Sequence, residues 1–238
     1  YPVSGVDIKL DWNGVTDKLP EGVRVIFSPK SAEGRKIDTY LSVRGGKVKV
    51  PPGRYSVVAY NYDTETVQIR GEEAYETIEA FTGYCNGLGI AGTEKMVWGP
   101  DPLYVVQIND LHIANSEEEL LLDWKPKLVV KTYSFKIKVE GLEYVSSIVG
   151  SVEGMAGCYC LGRCCGMMND APIYFEAQGC SGEVTGSFTA FGLPEGAMSR
   201  ASLAIKFTLA FVKVDNTVQK IEVDITDVIV NSESGEGG

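Results

Sequence analysis

Four cysteines, Cys158, Cys160, Cys164 and Cys165, fall within eight residues on a stretch that also holds Gly154, Gly157, Gly162 and Gly166. Thiolates this close together could close tetrahedrally around zinc, which makes these four the candidate ligands for a soft metal. The C-x-C-x3-C-C spacing argues against a metal, because structural zinc sites use C-x-x-C knuckles and the side chains of adjacent cysteines diverge. Disulfide formation is the second use of such a cluster in an exported protein. Cys180 is then the partner to test first, since a loop of that size could be stapled without distortion. Buried thiols acting as small apolar side chains are the third reading. Cys85 lies well upstream of the group.

The chain has one histidine, His112. Ser-His-Asp, Cys-His and His-rich metal sites would all have to share that imidazole, which belongs to the other half of the chain from the cysteine cluster. The sequence therefore predicts no catalytic residue and no cofactor. Glu72-Glu73 and Glu117-Glu118-Glu119 could be imagined as glycosidase carboxylates, but catalytic pairs converge across a cleft, whereas adjacent acids in a polar run face water. Asp101 and Asp110 lack the surrounding loop of a calcium site. Exposed aromatic rings could stack on sugars. Trp12, Trp98 and Trp124, with Tyr84, Tyr60 and Tyr62, supply such rings; Trp98, in a turn, and Tyr84 are the candidate glycan contacts, while Trp12 sits on an apolar strand face and reads as core.

The 238 residues carry 22 basic and 32 acidic side chains, a net charge of −10. Nucleic acids and anionic membrane surfaces attract clustered positive charge, and none is present. No apolar run reaches the length of about 18 residues that crosses a bilayer as a helix. The chain begins at Tyr1 rather than Met, as an exported protein would after losing a signal or lipid-anchoring leader, and as a trimmed chain would equally.

Alternation of apolar and polar residues dominates the rest. Val6, Ile8, Leu10 and Trp12 alternate with Asp7, Lys9 and Asp11, which marks a strand with one dry face. Val23 to Phe27, Val48 to Val50 and Phe135 to Val139 repeat the pattern. Tyr55 to Tyr62 is apolar on both faces, as in a central strand. Leu203 to Phe211 makes the longest dry face, and Ile221, Val223 and Ile225 return after a turn at Asn216 as a hairpin. Ser116 followed by Glu119 and three leucines predicts a short capped helix, and Glu72 to Phe81 fits a helix or an extended segment equally well. The tail Asn231 to Gly238 offers little to bury and is expected to be disordered or to mark a truncated end. Strands at roughly ten-residue spacing with Gly/Pro/Asn turns predict a mainly β protein of two tandem β-sandwich domains with one or two short helices. The boundary is expected at Lys125-Pro126-Lys127, giving domains 1–125 and 126–238, the second with the Cys-rich loop and the flexible tail.

The segment Val50-Pro51-Pro52-Gly53-Arg54-Tyr55, continuing to Ala59-Tyr60-Asn61-Tyr62-Asp63-Thr64-Glu65, resembles the first domain of the fimbrillin-like outer-membrane lipoproteins of Bacteroides. Tyr133 to Leu142, Val152 to Ala156 and Thr185 to Gly192 resemble successive strands of their second domain. The similar group is a lipoprotein family of unknown function related to the FimB-type pilus anchors. The resemblance implies two transthyretin-like or immunoglobulin-like sandwiches and a lipidated cysteine just upstream of Tyr1. It also implies an outer-membrane, cell-surface place as a fimbrial subunit, anchor or adhesion component. Its partners would be other fimbrial proteins joined by β-strand addition, which makes sheet edges the working surface. A surface glycan-binding lipoprotein is the alternative.

Overall fold

The computed structural model describes residues 4–85, 95–199 and 202–235. In chain order the strands are β1 (Ser4–Leu10), β2 (Gly22–Pro29), β3 (Ile37–Ser42), β4 (Gly45–Val50), β5 (Gly53–Asn61), β6 (Val67–Arg70), β7 (Glu79–Thr82), β8 (Tyr84–Cys85), β9 (Met96–Trp98), β10 (Tyr104–Ile113), β11 (Leu120–Trp124) and β12 (Lys127–Leu128). They continue with β13 (Lys131–Lys138), β14 (Val145–Glu153), β15 (Ala156–Cys160), β16 (Cys165–Met168), β17 (Ile173–Cys180), β18 (Glu183–Ala190), β19 (Lys206–Lys213) and β20 (Val218–Asp224), and helix α1 (Thr226–Gly235) follows. The chain forms two compact units. The first comprises Tyr1–Ala80, Pro102–Val129 and Cys160–Cys164, and the second comprises Phe81–Asp101, Val130–Tyr159 and Cys165–Gly238. The main division thus falls a few residues after the expected boundary, and the segment Phe81–Asp101 goes with the second unit.

The first unit is an eight-stranded sheet in the order β11-β1-β4-β3-β2-β5-β10-β12. Its two edges belong to strands nearly consecutive in sequence, since β11 ends at Trp124 and β12 begins at Lys127. The two intervening residues span only about 10 Å, so the sheet has to curl until its edges lie side by side. Ring contacts agree. Trp124 on β11 and Phe27 on β2 are four strands apart in the ladder, about 19 Å if the sheet were flat, yet their centroids are 6.4 Å apart. Val6, Ile8, Val25, Phe27, Val50, Tyr55, Val57 and Trp124 fill the space between the layers.

On the outer face of the same sheet, Arg24 of β2 pairs with Asp38 through two hydrogen bonds of 2.9 and 2.7 Å and also donates to Tyr60 Oη at 2.9 Å and to Glu72. The hydrogen bonds from Arg24 hold the Asp38 carboxyl below its ordinary value of 3.8. Burial pushes the Tyr60 phenol up.

The second unit is built on a six-stranded antiparallel sheet, β13-β18-β17-β14-β19-β20, with β9 added in parallel to β17 and β8 paired to β9. It too curls. Phe135 on β13 stands four strands from Phe207 on β19, and their centroids are 4.9 Å apart. Phe175 lies 5.3 Å from Phe207 and 5.6 Å from Phe188, so one aromatic cluster joins both layers. Two glycines make room for it. A Cβ at Gly150 would sit 2.2 Å from Phe175 Cζ and 2.8 Å from the Thr208 carbonyl oxygen, and one at Gly186 would sit 2.7 Å from Phe135 Cζ.

Two expectations need correction. The helix expected after Ser116 is absent. Glu118 N–H donates to Ser116 Oγ in a local turn, and Leu120–Trp124 runs as a strand parallel to β1. Ladder pairing and burial of Trp124 outweigh the weak capping signal. The expected disordered tail is instead helical over Thr226–Gly235, while residues 236–238 lie outside the described residues. Glu72 to Phe81 resolves into a single 3-10 turn at Tyr75–Thr77 followed by β7.

Gly150→Val should lower stability by about 3 kcal/mol in urea unfolding, because backbone and ring both block the new side chain. Gly5→Ala, whose Cβ would meet only Glu119 at ordinary contact distance, should be nearly silent. Equal unfolding midpoints for the two variants would contradict this packing. The depressed Asp38 pKa adds an acid-limb prediction. Its stabilisation is complete above the ordinary carboxylate value and is lost as pH falls through the lowered one, so Asp38→Asn should flatten the decline of stability below about pH 4. An unchanged slope would contradict the pairing.

Candidate functional site

Curling brings the two layers of the second unit together but leaves its sheet unclosed. Among the described residues β13 pairs only with β18, and β20 only with β19. The register sets Phe207 opposite Val223 and Leu209 opposite Ile221. Directly opposed residues share a face, so Val223 and Ile221 belong to the row that points into the core. Phe207 and Leu209 are buried, but Val223 is 43% and Ile221 40% exposed. An apolar row therefore continues past the last covered strand into solvent.

The exposed row opens onto a groove of ≈ 360 Å³ at the end of the seam between β13 and β20. Val145, Phe211 and Ile221 give it an apolar floor, Tyr144 stands at its rim, and Lys213 and Asp215 add charge. The opposite end is stoppered by α1. Thr226 Oγ1 accepts the Ile205 N–H at 2.8 Å and donates to Asp224 at 2.6 Å, which fixes the helix start. Ile229 enters the core, and near the helix end Glu233 accepts hydrogen bonds from Tyr133 Oη at 2.7 Å and from Lys131 on β13. The helix therefore bridges from the end of β20 to the start of β13 and leaves the other half of the seam uncovered.

The residues singled out from sequence are dispersed. Cys158 and Cys160 are buried on β15, Cys164 is exposed in the turn before β16, Cys165 is half-buried on β16, and Cys180 is exposed at the end of β17. Cys160 Sγ donates to the Glu76 carbonyl at 3.6 Å and Cys164 Sγ to that of Leu161 at 3.7 Å. Among the described residues no three His, Cys, Asp or Glu side chains gather in a metal-holding group. Cys85 is buried against Met96 and Tyr174, and burial raises its pKa. His112 lies on β10 opposite Arg54. Tyr84 pairs with Val97, and Trp98 N–H donates to the Gly83 carbonyl. Alternation then sends the Tyr84 and Trp98 rings to opposite faces of this ribbon, so they form no common platform. Trp98 instead meets Tyr174 edge-on at 5.6 Å, and burial pushes the Tyr174 phenol up to about 12. The seam residues Ile221 and Val223 had a signal in their alternation with Lys220, Glu222 and Asp224. Such charge is typical of an edge strand, but the hairpin pattern alone does not distinguish an open edge from a covered one.

Residues 1–176 match the family described as a domain of unknown function, DUF5119. The chain belongs to the DUF5119 family. A Bacteroides ovatus protein named as fimbrium anchoring subunit Fim4B is 57% identical to this DUF5119 chain over 253 residues, covering 100% of this chain and 76% of that protein. A crystal structure described as an adhesin from Bacteroides ovatus superposes with a TM-score of 0.89 at 58% identity, over 97% of this chain and 86% of that one. The fimbrial anchor protein Mfa2 from Porphyromonas gingivalis shares the fold, with a TM-score of 0.58 at 11% identity over 96% and 83% of the two chains. The sandwich architecture read from sequence is thus the fold of these fimbrial proteins, and the fimbrillin-like resemblance holds.

If α1 is held chiefly by Ile229, then Ile229→Ala should cost about 3 kcal/mol through lost burial and the cavity it leaves. Limited proteolysis should then cut within Thr226–Gly235 before it cuts the sheet. Protection equal to wild type would show that the helix is held by its polar contacts instead.

Proposed function

We propose that this chain anchors a fimbrium at the cell surface by accepting an extended segment of a fimbrial partner along the seam between β13 and β20. It is a non-catalytic fimbrial component, as the 57% identical relative named for fimbrium anchoring supports. Fimbrial membership places it at the cell surface. The observation that carries the strand-accepting reading is the core-facing row of Val223 and Ile221, which lies in solvent beside the edge of β20 that pairs with no second strand among the described residues. An incoming strand would satisfy the edge's backbone N–H and C=O groups, and alternate apolar side chains would extend the covered row and enter the groove. The first unit supports the choice by contrast, because its chain passes directly from one sheet edge to the other. Attachment through a lipid on an upstream leader, implied by the family resemblance, completes this reading. Labelling of the full-length product by radioactive palmitate in cells would test it.

The seam is tested by the double substitution Ile221→Asp and Val223→Asp. Both side chains are already partly in water, so the thermal midpoint should move little. The amount of fimbrial partner recovered with the chain from cells should fall at least tenfold, and surface filaments should detach or disappear. Normal recovery and normal filaments with the double variant would overturn the strand-accepting reading.

A further inference from the structure

The outer face of the first unit carries a second constellation that the seam does not use. Register sets Arg24 of β2 opposite Tyr40 of β3 on one side and Tyr60 of β5 on the other, so these three form one row. Tyr62 follows Tyr60 by two residues and shares its face. Its ring crosses β2 over bare backbone, since a Cβ at Gly22 would lie 2.7 Å from Tyr62 Oη and 3.1 Å from Cε1. It thereby reaches Tyr40, with centroids 5.2 Å apart and planes at 81°. Tyr40 is 60% and Tyr62 45% exposed, although each has a fixed aromatic neighbour. The Arg24 guanidinium lies 5.8 Å from the Tyr40 ring centre and is locked by Asp38, Tyr60 and Glu72. Lys36 Nζ donates to the Glu72 carbonyl at 2.9 Å.

We propose that this face, formed by Tyr40, Tyr62 and the Arg24, Asp38 and Glu72 side chains, is a binding site for a neutral polysaccharide. A pyranose presents an apolar C–H face and a rim of hydroxyls. Held aromatic rings stack on the first, and planar carboxylate and guanidinium groups hydrogen-bond the second. Two cations, Arg24 and Lys36, balance two anions, Asp38 and Glu72, which suits an uncharged ligand. A protein partner fits less well. A stable interface buries about 800 Å² per partner around an apolar centre, whereas the apolar neighbours Ile26 and Val58 on this face are already buried beneath other chain. The side chains are in place before binding, so little ordering opposes capture.

The test is affinity electrophoresis and titration calorimetry of the purified full chain with starch, a soluble β-1,3-glucan, yeast α-mannan and galactomannan. At least one should retard the wild type, with Tyr40→Ala/Tyr62→Ala weakening that binding at least tenfold and Trp98→Ala leaving it unchanged. Tyr40→Ser alone, at the more exposed ring, provides the same readout should the double variant unfold. Binding of none of the four, equal binding by the tyrosine variants, or loss confined to Trp98→Ala would overturn the proposal. No fimbrial partner is present in this experiment, so its failure leaves the strand-accepting reading untouched.

Discussion

The second unit depends on one packing event, the meeting of Phe135 with Phe207 across four strands of a single sheet. Rings at that distance force the sheet to fold over, because a flat ladder would hold them about 19 Å apart. Gly150 and Gly186 permit the fold by leaving space where any Cβ would meet a ring. Once the sheet has folded, six strands suffice to cover most of the core but not to join edge to edge. The open seam is therefore a consequence of how the core is built.

The two units answer the same geometric problem differently. In the first, Lys125 and Pro126 carry the chain directly from one sheet edge to the other. In the second, α1 stops one end of the seam by sending Ile229 into the core and Glu233 to Lys131 and Tyr133. An exposed strand edge with apolar residues invites association, and charged side chains on edge strands usually guard against it. On β20, Lys220, Glu222 and Asp224 point away from the core while Ile221 and Val223 keep the core-facing row apolar. Such an edge resists general aggregation but fits a segment that supplies the next row.

Much of this was legible in the sequence. The alternations at Val6 to Leu10 and Val23 to Phe27, and that of Leu203 to Phe211 from Lys206 onward, identified strands, because a half-buried strand writes its period directly into residue polarity. Tyr55 to Tyr62 showed its central position through apolar residues on both faces. The fimbrial assignment came from turn and strand motifs rather than from chemistry. Three things were not legible. Leu120 to Trp124 carried a helix signal that only its pairing with β1 overrides. Helix α1 is amphipathic too weakly to stand out, and it forms because Ile229 finds a core. Finally, the Tyr40–Tyr62 face depends on a ring crossing a glycine on another strand, a relation no local window contains.

The most direct test of the central claim is hydrogen exchange on the full chain, alone and bound to its fimbrial partner. If the seam receives an extended segment, backbone amides of Val218–Asp224 and of the edge of Lys131–Lys138 should slow markedly on binding, while the strands inside the sheet stay as they were. Unchanged exchange along both edges in a complex that demonstrably forms would contradict the account.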